Sequence, residues 1–532
     1  MTPLACAVSQ LNLDFLNKTP NQSTFQKLQF NLTQQQISAC TGRNGLGKSL
    51  LMQVLHFQRT SMLPYSGEIL WQLPHAYLAQ LKRVDENTIA GALGITEMHQ
   101  AFMRIEAGTA SLKDFDLTEN QWHLPAQWSA QLTQAKLPDN LNFPVELLSE
   151  GQKTKLALCA LFLKPDHYLL LDEPSNHLDA ESRTWLINSL KAHPAGAFII
   201  SHDRALLNQA HHIYALNEYG LQHVSGNYDD YVQQHELQYG ALERQTIQQK
   251  RELKQLKAKQ HETLMKAQKR QRNGKQLRSS SSQAPILLDF KKEQAGQSLS
   301  GVQKQQQKQM EEKQMLLHAA QNQLEHFKQQ QFKFQHHAVK AGEILRIDHL
   351  PLPFGTEIPL CFSLKAGDKI HLQGRNGSGK STLLKLLKQQ VQAANPHVYL
   401  AVKPVYLDQN FSNLQPEHSV LDNLSLFNPK LTASEWRNQL GQLRIRGDRP
   451  EQPLSRLSGG EKLKTALLGL NFWPENIELL LLDEPENHLD IESRELLAQA
   501  IAQYTGAVIL VSHDTDFVTQ CGIDMHWDIE SN

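Results

Sequence analysis

At 532 residues with an apolar share of 40%, the chain is long enough and greasy enough for several packed domains. Lys and Arg number 53 against 54 Asp and Glu, so no chain-wide charge announces a polyanionic or membrane-surface partner. The five cysteines (Cys6, Cys40, Cys159, Cys361 and Cys521) are scattered and form no CxxC pair, so neither a disulfide framework nor a zinc site is indicated and a reduced, cytoplasmic setting fits best.

In chain order, the N-terminal MTPLACAVSQLNLDF has neither a basic stretch nor a long apolar core, so no signal peptide is expected. Apolar runs such as LALCALFL at 156–163 fall far short of the ~20 residues that span a bilayer. ISACTGRNGLGKS places a short apolar strand before G-x-x-x-x-G-K-S. Glycines there let the backbone N–H groups face a phosphate, and the following helix adds the positive end of its dipole. Gly42, Arg43, Asn44, Gly45 and Gly47 form the cradle, Lys48 reaches the β/γ-phosphates, and the Ser49 hydroxyl takes Mg²⁺. Next come YLAQ at 77–80, LSEGQ at 148–152 and the leucine-rich YLLLDEP. The last reads as a buried parallel strand. It presents Asp172 to Mg²⁺ at its C-terminal end, with Glu173 beside it to orient and deprotonate a water. A further strand, AFIIS, leads to His202, a candidate γ-phosphate contact.

Everything then repeats. GRNGLGKS (42–49) returns as GRNGSGKS (374–381), YLAQ as YLDQ (406–409), LSEGQ as LSGGE (457–461), and SHD (201–203) at 512–514. LLLDEPSNHLD (169–179) returns as LLLDEPENHLD (480–490), with Ser175 against Glu486 the one difference. The second cradle is Gly374, Arg375, Asn376, Gly377 and Gly379, with Lys380, Ser381 and Thr382. Asp483, Glu484 and His513 repeat the acidic pair and the histidine. Offsets fall by about 20 between YLAQ and LSEGQ, so the first copy holds about 20 extra residues within 81–147. Phe15 and Phe354 precede their P-loops and are candidates to stack on adenine or to fill a core.

Between the copies, residues 241–340 carry 20 Lys and Arg against 8 Asp and Glu, with 23 glutamines. Residues 240–272 and 300–335 read as two helices, and Met310, Leu317 and Leu324, with Phe327 alongside, trace a coiled-coil seam. The breakers in 273–297 predict a shaped basic tip, giving an antiparallel hairpin; a solvated spacer is the plainer alternative.

Taken together, the P-loop, glutamine loop, LSGGQ-like string, acidic strand end, HLD and SHD resemble the ATP-binding cassette superfamily over nearly all of 1–230 and 341–532. Two full cassettes without a membrane domain, EP-x-N-H-L-D in both, and a charged linker after GNYDDY (226–231) resemble its ABC-F branch. The resemblance implies an α/β fold: two P-loop NTPase domains (1–232 and 341–532) joined by a basic α-helical hairpin linker (233–340). It implies ATP hydrolysis with Mg²⁺, and composite sites shared head to tail. Site one pairs Lys48, Asp172 and Glu173 with Ser458 and Gly460. Site two pairs Lys380, Asp483 and Glu484 with Ser149 and Gly151. Gln80 and Gln409 would reach Mg²⁺ or the lytic water. Glu150 replaces a glycine of the LSGGQ pattern, so site two is expected to be the weaker. The branch implies a monomer whose linker meets ribosomal RNA and tRNA; a membrane-transporter ATPase subunit and a DNA-structure binder are the alternatives. The short insertion leaves no large ribosome-contacting arm, and the 19 residues after His513 leave no room for a C-terminal nucleic-acid domain.

Overall fold

Apolar runs buried on both faces form the centres of two parallel sheets. The computed structural model describes residues 3–13, 25–57, 65–79, 86–176, 178–217, 220–279, 304–305, 307–321, 324, 332–334, 342–375, 377–389, 395–409, 411–487 and 489–530. In the first copy, strands β1 (Leu4–Leu13), β2 (Phe25–Thr33) and β4 (Tyr65–Trp71) make an antiparallel sheet in the order β2-β1-β4. The main sheet takes β3 (Ile37–Gly42), β5 (His75–Leu78), β6 (Tyr168–Asp172), β7 (Ala197–Ile200), β8 (His212–Asn217) and β9 (Gly220–Ser225). Its order is β5-β6-β7-β3-β8-β9, parallel except at β8–β9. All five residues of β6 are buried, as an apolar run without alternation requires.

The second copy repeats this plan. Strands β10 (Glu343–Leu350), β11 (Leu360–Lys365) and β13 (Val398–Leu400) are antiparallel. Strands β12 (Lys369–Gln373), β14 (Pro404–Asp408), β15 (Leu479–Asp483), β16 (Ala507–Val511) and β17 (Met525–Asp528) run parallel in the order β14-β15-β16-β12-β17. Helices α1 (Lys48–Phe57) and α11 (Lys380–Gln389) start at the P-loops.

The extra segment of the first copy has a definite place. Between β5 and the helix α6 (Glu150–Phe162) lie α2 (Ile89–Leu93), α3 (Thr96–Glu106), α4 (Leu112–Thr118) and α5 (Leu124–Gln134). Between β14 and α14 (Gly459–Asn471) the α-helices among the described residues are α12 (Val420–Phe427) and α13 (Ala433–Gln442). Matching bridges, Thr88 to Pro144 and Ser419 to Pro453, bracket the two regions. Hence α3 and α4 are the addition.

The chain divides into two compact units, Met1–Tyr228 with Gln330–Asn532, and Asp229–Gln329. The second unit is helical. Helix α9 (Tyr228–Ser279) has 52 residues, about 78 Å at 1.5 Å per residue, and α10 (307–321) meets it where Lys313 pairs with Glu252 at 2.5 Å. Leu253 and Ala320 are buried there, and Met310, Leu317 and Leu324 are half-buried. The expected tip falls largely in 280–303, which lies outside the described residues, as does Phe327. Among the described residues no helix is long and apolar enough to cross a membrane.

Candidate active site

Each P-loop turns on glycines with positive φ. At Gly42, φ is +146° and a Cβ would stand 2.3 Å from the Leu216 carbonyl oxygen, so only glycine fits between β3 and β8. At Gly379, φ is +100° and a Cβ would meet the Phe354 carbonyl oxygen at 2.8 Å. The loop lysines are held by their own turns. Lys48 Nζ donates to the carbonyls of Gly42 (2.7 Å) and Arg43 (3.0 Å), and Lys380 Nζ to those of Gly374 (2.7 Å) and Arg375 (2.9 Å). Burial lowers both lysine pKa values, opposed chiefly by Glu173 and Glu484. Each ammonium is thus fixed beside the cradle, ready for an anion.

The strand ends deliver the carboxylates. Asp172 and Asp483 close β6 and β15, in register with Ile200 and Val511 of the adjacent strands. Ser381 Oγ donates to Asp483 Oδ1 at 3.0 Å and the Tyr406 hydroxyl to Oδ2 at 2.9 Å. Neither buried oxygen of Asp172 has a protein partner in hydrogen-bonding geometry, although Ser49 is near enough to oppose the rise in pKa that burial causes. Glu173 and Glu484 come next, both in the left-handed region with φ of 51° and 46°. Such a backbone costs a glutamate about 1 kcal/mol or more.

Each glutamate faces a histidine. Glu173 Oε1 is 3.5 Å from His202 Nε2, and Glu484 Oε1 is 3.2 Å from His513 Nε2. The surroundings differ. Side-chain exposure is 11% for His202 and 10% for Glu173, but 27% for His513 and 30% for Glu484. Burial pushes Glu173 up to about 8 and His202 down to about 3. Glu484 is instead held below its ordinary value, first by its hydrogen bond with His513. Asn487 adds a donor to Glu484 Oε2 at 2.7 Å.

A cavity of about 1030 Å³ joins the copies. Lining it are Asn44, Gly45, Gly47, Lys48 and Ser49, then Asp172, Glu173 and His202, and across from them Glu484 and His513. Ser149, Glu150 and Gly151 also open onto it. Ser149 and Ser458 each N-cap their helix in a capping box, with Gln152 and Glu461 as the reciprocal partners. Gly460 is buried where a Cβ would lie 2.2 Å from Ser493 Oγ. Glu150 turns outward: its side chain is 75% exposed and pairs with Lys153 at 3.0 Å. Gln409 follows β14 and is exposed. Phe354 is 78% exposed beside the second P-loop, a placement suited to stacking rather than to a core. Thr382 lies in the first turn of α11. Gln80, Asn376 and Phe15 lie outside the described residues.

Sequence reasoning missed the contacts between the copies. Helix α15 (Ile491–Gln503), N-capped by Asp490, faces the first P-loop. Asn44 N donates to Asp490 Oδ2 at 2.9 Å, and Arg43 grips Glu492 with two bonds of 2.5 and 2.7 Å. Arg204 pairs with Glu495 one turn further along. The repeated HLD string carried a signal for Asp490; Arg43, Glu492, Arg204 and Glu495 carried none.

The protein family described as ABC transporter matches residues 25–176 and 359–487. The ATP-binding protein Uup of Escherichia coli (strain K12) is 31% identical over 526 residues, covering 91% of this chain and 75% of that protein. ABC transporter F family member 2 of Arabidopsis thaliana is 29% identical over 524 residues, covering 90% and 70%. The putative ATP-binding protein YdiF of Bacillus subtilis (strain 168) is 29% identical over 515 residues, covering 91% and 74%. Among solved structures, the complex of the archaeal ribosomal stalk protein aP1 with the ribosome recycling factor aABCE1 matches with a TM-score of 0.50 and 14% identity, over 98% of this chain and 87% of that one; this likeness speaks to the fold alone. With two P-loops and two acidic strand ends in a single chain, and a match to the family over both copies, the protein belongs to the ATP-binding cassette family, is of its ABC-F type, and is an ATP hydrolase.

Proposed function

We propose that ATP-driven closure of two composite sites controls the binding of the basic linker to ribosomal RNA and tRNA, so that the protein acts on translation. The observations that carry the closure are the cavity lined by both cassettes and the bonds that join Asn44 and Arg43 of the first to Asp490 and Glu492 of the second. A triphosphate in the cradle of one cassette meets the signature helix of the other. That contact exists only when the cassettes are together, so binding favours closure and hydrolysis releases it. Glu173 and Glu484 orient and deprotonate the attacking water. His202 and His513 hold the γ-phosphate side, and Lys48 and Lys380 neutralise the β/γ oxygens.

Mg²⁺ fits both sites. Two buried Asp172 oxygens lack protein partners beside Ser49, and Ser381 with Asp483 forms the second donor pair. No cluster of three or more His, Cys, Asp or Glu occurs among the described residues, as suits an ion completed by phosphates and water. Bound there, it would screen phosphate charge.

The linker reading rests on composition and on kin. Residues 241–340 have 12 more basic than acidic groups, suited to a phosphate backbone read by shape. Relatives of the ABC-F type and a ribosome recycling factor share the tandem plan. We take the chain as a monomer of three segments, 1–232, 233–340 and 341–532. The test is sedimentation with ribosomes of the Glu173→Gln/Glu484→Gln variant loaded with ATP. Co-sedimentation that needs ATP and residues 268–300 is expected. Capture by membranes or by branched DNA instead would overturn the reading.

A further inference from the structure

Arg204 stands at a junction of three elements. It follows Ser201-His202-Asp203 directly and opens the short helix α8 (Arg204–Leu207). Asp203 caps that helix, accepting from Ala205 N at 2.9 Å and Leu206 N at 3.4 Å, so the backbone at Arg204 is fixed to the histidine segment. Its guanidinium pairs with Glu495 on α15 of the second cassette. The same guanidinium lies over the ring of Tyr228, with its carbon 5.8 Å from the ring centroid. Tyr228 is 5% exposed and is the first residue of α9, the long linker helix.

The other side of the duplication lacks this arrangement. Thr515 and Thr184 occupy the positions of Arg204 and Glu495, and Thr184 Oγ1 donates to its own helix at the Ala180 carbonyl, 3.0 Å away. Arg375, the counterpart of Arg43, is 90% exposed and 3.9 Å from Glu530. Glu181, the counterpart of Glu492, pairs with Lys136 at 2.5 Å within its own cassette. Ion pairs between the cassettes therefore concentrate at site one among the described residues.

We infer that Arg204 is a positioning residue that transmits closure of site one to the root of the linker. Glu495 reaches Arg204 only while α15 rests against the first cassette, so this ion pair is a contact that distinguishes closed from open. A guanidinium is attracted to an aromatic face within about 6 Å and in a particular orientation. Moving or freeing Arg204 thus changes the hold on Tyr228 and the stability of the first turns of α9. The inference rests on the closure proposed above and adds the residue through which closure is felt.

The test is hydrogen–deuterium exchange at the amides of residues 228–236, with and without ATP, in the full Glu173→Gln/Glu484→Gln protein. Compaction is followed in parallel by X-ray scattering and ATP retention by filter binding. ATP is expected to slow exchange there at least about fivefold, within the usual range of coupling between sites. Arg204→Ala and Glu495→Ala should each bring that ratio to about one while ATP is still retained and compaction persists. Tyr228→Phe should keep the effect and Tyr228→Leu lose it; Glu495→Ala and Tyr228→Leu decide the matter if Arg204→Ala does not fold. Protection that survives in Glu495→Ala, or is absent from the parent protein despite compaction, overturns the role of Arg204. ATP retention without compaction overturns the closure reading instead.

Discussion

Ser175 and Glu486 occupy the one position at which the acidic strings differ, and the larger residue changes the local chemistry. Ser175 Oγ lies 3.4 Å from Ser201 Oγ, which accepts from Asp203 N at 3.0 Å. Glu486 instead accepts a short bond from Ser512, which accepts from Asp514 N at 3.0 Å. Its other oxygen is buried without a partner, and burial pushes its pKa to about 7. Arg494 opposes the rise and Asp514 reinforces it. The folded state therefore prefers the protonated acid. Its contribution is fully present below the unfolded value of 4.5 and is lost as pH rises through 7. Glu486→Gln keeps the shape without the charge. It should become more stable than the parent above pH 5, by on the order of 3 kcal/mol at pH 8. Melting curves from pH 5 to 8 check this, and a gap that does not vary with pH would sink it. A second change concerns Glu150, exposed and turned to Lys153. Its carboxylate still stands at a helix start that, in the closure proposed above, meets phosphate. With only site two working, in Glu173→Gln, Glu150→Gly should raise phosphate release about fivefold, equivalent to about 1 kcal/mol. An unchanged rate would mean that site two owes nothing to this residue.

Helices α3 and α4 show what an insertion must bring with it. In the second cassette the buried Trp436 meets Phe472, ring centroids 5.4 Å apart. In the first, the corresponding Trp128 meets Phe102 of α3 at 6.1 Å. The added helices supply a ring partner from a different element. Phe102→Ala should loosen α3 and α4 and destabilise the first cassette by about 3 kcal/mol. Limited proteolysis should cut first within 96–118, and cleavage elsewhere first would contradict the packing. Sequence placed this insertion only within 81–147, because its helices carry no motif and the offset measures length alone. By contrast, both P-loops, both strand-end carboxylates and the apolar strands that carry them were legible. Their signals are contiguous: a glycine pattern, a leucine run, a turn. Arg43 with Glu492 is the opposite case, since 449 residues separate the partners. No local pattern marks one arginine as the other cassette's anchor. Phe354, equally suited on paper to core or ligand, is shown to be exposed only by the fold, which sets its backbone against Gly379 of the P-loop and leaves its ring outside.

At the scale of the molecule, a chain near neutral overall concentrates basic charge in one helical unit. If that unit neutralises about four phosphates, ribosome affinity should fall about 50-fold between 50 and 200 mM salt. Equilibrium sedimentation across that range checks it, and a flat response would count against RNA contact by the linker. Duplication has meanwhile produced two unequal halves: among the described residues, the ion pairs between the cassettes lie on the side of the first P-loop. Both halves nevertheless retain the positive φ at Glu173 and Glu484. Glycine would occupy that conformation freely and would drop the carboxylate at the same stroke. A screen that rewarded heat resistance alone would therefore be drawn to glycine at these two positions, and the most durable descendants would be those that could no longer let go of their ATP.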